Sequence, residues 1–125
     1  MANIVIVTLT KKWPDAESYT QHYEEIGGGL APVVDHITEN YTRTGKILDR
    51  VFTEDPEALT RTTRTIFSDD DARKEYTADP VVAERTLVIK EYAKSKGVNA
   101  EWVCLEMDGG ETIRQWEGDW LEGVK

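Results

Sequence analysis

Residues 3–9 read NIVIVTL, a run that is β-branched and apolar at nearly every position. Successive side chains of a strand point to opposite faces, so a strand apolar at every step expects burial on both of them. The polar stretch TKKWPD at 10–15 bounds it. One layer of helices covers only one face of a sheet. This stretch therefore predicts a sheet whose second face also needs a cover.

The elements downstream follow from periodicity. Asp15, beside Pro14, opens a helical pattern in which Tyr19, Tyr23, Ile26, Leu30, Val33 and Ile37 recur at steps of three and four. The stripe keeps its phase across Gly27, Gly28 and Gly29, and Pro32 follows, so the segment reads as one sheet-covering helical stretch with a bend or break. A phosphate loop is excluded, because these glycines come after about three turns of helix rather than directly after a strand, and no Lys-Ser/Thr follows. KILDRVFTED (46–55) and PEALTRTTRTIF (56–67) read as strands joined at Asp55-Pro56, an antiparallel hairpin. SDDDARKEY (68–76) opens a second helical region, with Ser68 as its cap and Asp71 completing a capping box. Pro80, within ADP at 78–80, interrupts it, and the helix resumes until lysines and Gly97 close it. AEWVCLEM (100–107) is a fourth strand, with Val103, Leu105 and Met107 on one face and Trp102 and Cys104 on the other. Residues 108–125 are expected to be a tail, with a helical turn carrying Ile113, Trp116 and Trp120, docked on the body or on a partner subunit.

A chain of 125 residues fits one domain with a core of its own. Its 24 acidic and 15 basic residues give a net charge of −9 with no Lys/Arg-rich block, which argues against nucleic acid and anionic membranes as partners. No stretch approaches the ~18 apolar residues of a membrane span. The amino terminus carries its apolar run before its lysines, the reverse of a secretory signal, so a cytoplasmic location is expected. Cys104 lies alone in the apolar WVCLEM and reads as a small buried hydrophobe in a reducing compartment.

The order is β-α-β-β-α-β plus a tail, the split βαβ arrangement of a ferredoxin-like α+β fold with a four-stranded antiparallel sheet in 1–107 and the tail in 108–125. Both helical regions pack on one face, and a second copy of the sheet is the simplest cover for the other. The stretch FSDDDARKEYTADPVV (67–82) resembles the passage from third strand to helix in the dimeric α+β barrel superfamily: an aromatic, a Ser-Asp cap, an Ala and a Tyr a turn apart, then Ala-Asp-Pro. The resemblance covers residues 3–107. It implies a homodimer joined through sheet faces, with a small-molecule cleft between sheet and helices. It carries no single reaction, since that superfamily spans monooxygenases of polyketide-like aromatics, haem-degrading enzymes, isomerases and stress-induced proteins. Haem-degrading relatives keep a histidine on the second helix; residues 68–97 contain none, and no cofactor is expected.

The candidate chemistry is sparse. His22 and His36 stand 14 positions apart, ~21 Å along a helix, so they cannot share a metal, and no metal site is expected. His22 is the best candidate for proton transfer, because histidine titrates near neutrality and this one lies on the helix that would wall the cleft. His22 has Glu25 as a helical neighbour, and His36 has Glu39. Tyr19, Tyr23 and Tyr76 are candidates for ligand contacts, with core packing as the competing role. Alternation puts Arg61 and Arg64 on opposite faces, and a guanidinium inside the fold could hold the oxygens of an acidic or phenolic ligand. Two readings stay open. One is a small-molecule binding protein or enzyme, in the style of cofactor-independent monooxygenases or isomerases. The other is a non-catalytic homodimeric module whose conspicuous residues are all structural.

Overall fold

In the computed structural model the apolar run becomes the centre of the sheet: strand β1 (Ile4–Lys12) is paired on both sides. The structure describes residues 3–26 and 30–124, leaving aside the side chains of 23–26 and 30–31. The three glycines at 27–29 thus lie outside the described residues. Helices α1 (Ala16–Ile26) and α2 (Leu30–Ile37) follow β1, and a π-helical turn (Thr38–Thr42) leads to strand β2 (Ile47–Asp55). Strand β3 (Thr60–Phe67), helices α3 (Asp70–Ala78) and α4 (Pro80–Ser95), and strands β4 (Asn99–Asp108) and β5 (Glu111–Asp119) complete the chain. The sheet runs β2-β3-β1-β4-β5, antiparallel at every pairing.

The fold is therefore the expected ferredoxin-like α+β arrangement, with five strands in place of four. The fifth replaces the expected helical turn near the end of the chain. Asp108-Gly109-Gly110 makes a tight turn, with Gly109 at φ 62°, and β5 returns along β4, satisfying the backbone groups that β4 would otherwise leave at an edge. Trp116 lands opposite Cys104, and Trp120 follows the strand. Gly118 pairs with Trp102, whose indole lies so close that a Cβ at 118 would come within 2.8 Å of Cζ2. The missing side chain lets the ring lie across the strand.

All helices cover one face. The main core joins Val5, Phe67, Ile47 and Cys104 of the sheet to Ile37, Tyr41, Ala72 and Val82. A second cluster at the far end holds Trp13, Tyr19, Ala93 and Val98. Neither contains the residues on the opposite face, Ile4, Ile6, Ile66, Val103, Leu105 and Met107, which lie together in register across β1, β3 and β4.

One carboxylate ties the helical layer together. Asp79, between α3 and α4, caps α4 by accepting from the Val81 and Val82 amides, and also accepts from the Tyr41 hydroxyl and from His36 Nε2, both at 2.7 Å. Burial alone would raise its pKa, but these hydrogen bonds outweigh that and hold it at about 2. Tyr41, buried and bonded to this carboxylate, is pushed far above the usual phenol range. Two local expectations are corrected. His36 pairs with Asp79 rather than Glu39, because Asp79 already anchors a buried helix start. The α3 cap is Asp69, which accepts from the Ala72 amide at 2.8 Å, one residue beyond Ser68.

Gly118→Ala is expected to lower stability by about 1–3 kcal/mol, because the added methyl must displace the Trp102 ring. Thermal melts of Gly118→Ala, Trp102→Ala and the double variant check this. The two losses should be less than additive, because removing the indole removes the clash.

Candidate functional site

Alternation along β1 decides what lies under the helices. Val5, Val7 and Leu9 share a face, and the next side chain in that series is Lys11, while Lys12 points the other way. Lys11 is half-buried and Lys12 exposed. Across the β1–β3 pair Lys11 stands opposite Arg61, their Cα atoms about 5 Å apart in an antiparallel register. The sequence itself therefore sets two cations side by side beneath the start of α1.

Aromatic rings surround them. The Arg61 guanidinium lies 3.7 Å from the Tyr19 ring centroid and 4.6 Å from that of Trp13, and its Nε is 3.5 Å from a Glu54 carboxylate oxygen. Lys11 Nζ sits 4.6 Å over the Trp120 ring, which Lys90 Nζ approaches at 5.2 Å. Such contacts favour a cation without neutralising it. Lys11 makes no ion pair with a carboxylate among the described residues. Trp13 is 1% exposed, and its indole Nε1 has no hydrogen-bond partner among the described residues. The backbone amide of Trp13 donates to the carbonyl of Leu59, a turn residue held at φ 58° between β2 and β3.

His22 belongs to the same cluster, with its ring 5.0 Å from that of Trp13 and 5.9 Å from that of Tyr92. It is only 5% exposed. Burial, with the charges of Lys11 and Arg61 nearby, pulls its pKa down to about 4, so the imidazole is neutral at pH 7. Burial, and then Arg61, likewise lower Lys11 to about 8.

The structure brings together His22, Tyr19 and Arg61 of the residues singled out from the sequence. Tyr19 is buried and donates to the Thr60 carbonyl at 3.2 Å. Tyr76 stands apart, in the main core between Tyr41 and Phe67, its pKa raised by burial. Arg64 is exposed on the opposite sheet face, across from Thr8 and Val51. The side chain of Tyr23 lies outside the described residues. Sequence reasoning missed Lys11, Trp13 and Trp120; the position of Lys11 in the Val5-Val7-Leu9 series was the available signal. On the opposite face a concavity of about 680 Å³ is lined by Thr10, Lys12, Glu101, Val103, Glu117 and Asp119 among others. Three carboxylates against one ammonium make that face unsuited to anions.

The two depressed pKa values fix a pH profile. Between pH 4 and 6.5 the unfolded chain protonates His22 and the folded one does not, so stability is gained as pH rises through that window and lost as it falls. The same sign holds for Lys11 between pH 8 and 10.5. Each step is worth on the order of 3 kcal/mol. Urea titrations across pH should show both steps, with His22→Phe flattening the acid one and Lys11→Met the alkaline one.

No protein-family model matches the chain, and no curated protein matches it. Solved structures do share its fold. Aldoxime dehydratase, crystallised in complex with butyraldoxime, superposes with a TM-score of 0.61 at 12% identity over 93% of this chain and 34% of that one. The chain thus spans about a third of that enzyme's length. A dimeric ferredoxin-like protein from an uncultured marine organism gives a TM-score of 0.50 at 6% identity, covering 94% of this chain and 85% of that one. At such identities the likeness establishes the fold alone, a ferredoxin-like α+β fold.

Proposed function

We propose that the protein is a homodimer that binds, and acts on, a small acidic or phenolic molecule beneath the helices at the β1–β3 end of the sheet. The observation that carries this reading is the Lys11–Arg61 pair. In a chain of net charge −9, two cations are set side by side and half-shielded by aromatic rings, with no carboxylate on Lys11 among the described residues. Desolvating such groups is costly unless an anion joins them. A carboxylate or phenolate would do so, and the indole N–H of Trp13 adds a buried donor in the same cluster. The sealed position of His22 speaks for the other reading, a non-catalytic homodimer, because a base that a ligand cannot reach cannot transfer its proton. In either case the apolar face of Ile4, Ile6, Ile66, Val103, Leu105 and Met107 is the surface that a second copy would cover. Cys104, 1% exposed and with its thiol pushed up to about 11 by burial, suits a reducing cytoplasm and takes no part in the chemistry.

Two measurements check this reading. Benzoate and 4-hydroxybenzoate should raise Tm and perturb tryptophan fluorescence, with affinity falling as pH rises through 8, where Lys11 loses its proton. Arg61→Met should weaken binding about tenfold or more. Absence of binding by both probes from pH 6 to 8 would leave the non-catalytic reading standing. In sizing chromatography the protein should elute near twice its 14.2 kDa mass, and Leu105→Asp should shift it to the monomer with its circular dichroism retained.

A further inference from the structure

Resting on the anion-binding reading above, we propose that Lys11 is a carbonyl-reactive amine, which forms a reversible imine with an aldehyde or ketone group of a small carboxylic acid held by Arg61. The argument begins with reach. His22 is shut in at 5% exposure and Trp13 at 1%, whereas Lys11 is only half-buried. The less enclosed nucleophile of the cluster is therefore the amine and not the imidazole.

Its surroundings favour the unprotonated form. Arg61 faces it from β3, His22 from α1, and Lys90 from α4 shares the Trp120 ring with it, while the Glu54 carboxylate of β2 is paired to Arg61 rather than to Lys11. No carboxylate pairs with it among the described residues, and the Trp120 face, which favours the cation, is shared with Lys90. Its pKa of about 8 puts half of it in the free-base form at pH 8, where an ordinary lysine is almost wholly protonated. A desolvated amine beside a second cation is the environment in which lysine becomes a nucleophile.

The step balances without an oxidant or reductant. The free amine adds to the carbonyl carbon, forming a C–N bond and, after proton transfer from nitrogen to oxygen, a carbinolamine. The hydroxyl then leaves as water and the nitrogen loses its remaining proton, giving C=N. An imine is a weaker base than the amine it replaces, so the step also lowers the positive charge facing Arg61. Because Lys11 and Arg61 are direct partners across β1 and β3, a single small molecule that carries both a carbonyl and a carboxylate, a short keto acid or aldehyde acid, suits the pair.

Pyruvate with cyanoborohydride at pH 8, followed by peptide mapping, tests this on the wild-type chain. Labelling of Lys11 is expected to be at least about tenfold faster than that of its neighbour Lys12, which is exposed on the opposite face. Excess benzoate should suppress it. Lys11→Arg should abolish the fast adduct while keeping benzoate binding, which separates the two readings. Benzoate binding without preferential labelling of Lys11 overturns the imine and leaves the anion site intact. Fast labelling that benzoate does not suppress supports the amine and counts against the anion site. Equal, slow labelling of Lys11 and Lys12 overturns the proposal whether or not the variant folds.

Discussion

The structure hangs on the two-residue alternation of β1. That strand is inserted between β3 and β4, the two strands that α3 and α4 connect, so it holds the second half of the chain to the first. Its register therefore fixes what every other strand shows to the helices. A slip of one residue would move Val5 and Val7 out of the core and bring Ile4 and Ile6 in, with no loss of hydrophobicity, since both faces are apolar. What distinguishes the two registers is the far end, where Lys11 and Lys12 exchange places, together with the shape of the core against Phe67 and Cys104.

The helical layer has its own fixed point in Asp79. Pro80 removes a backbone donor and breaks the helical run, and a break inside a packed layer exposes amide groups that need acceptors. Asp79 supplies one, and the same carboxylate draws in Tyr41 and His36 from the first half of the chain. The two halves are thus joined by a charged hydrogen-bonded node at one end and by packing at the other, where Trp13 and Tyr19 meet Ala93 and Val98. Such charge-assisted bonds are stronger than neutral ones and directional, so the node positions the helices as well as holding them.

Much of this was legible in the sequence because its signals were periodic. Four strands, the helical segments, the break at Pro80, the split of Arg61 from Arg64 and the facing of Val103, Leu105 and Met107 all follow from steps of two or of three to four. The fifth strand was not legible in that way. Of its residues turned to the helices, Arg114, Trp116 and Gly118, only one is a large hydrophobe, and the four-residue spacing of Trp116 and Trp120 imitates a helix. Its true signal was the Asp108-Gly109 turn, a hairpin signature. His36 was matched to a local acid because helical spacing speaks only of neighbours, while its partner lies 43 residues away. At the site, Tyr19, His22 and Arg61 were identifiable by type. Lys11 was passed over because TKKWPD reads as the polar border of a strand, although the strand continues through it.

That continuation gives adjacent, chemically identical residues opposite roles. Lys12 faces a concavity bordered by Glu101, Glu117 and Asp119, where its ammonium is one cation among carboxylates. Lys11 faces Arg61 and a neutral imidazole among aromatic rings, and its ammonium is held against the preference of its surroundings. A net charge of −9 does not describe either place. The sheet divides the charge, with acid on the open face at this end and base beneath the helices. The cost of confining that base falls on folding stability, and a bound anion would relieve it. A fold that keeps two cations together in a half-buried place would therefore bind an anion most tightly where it is least stable alone.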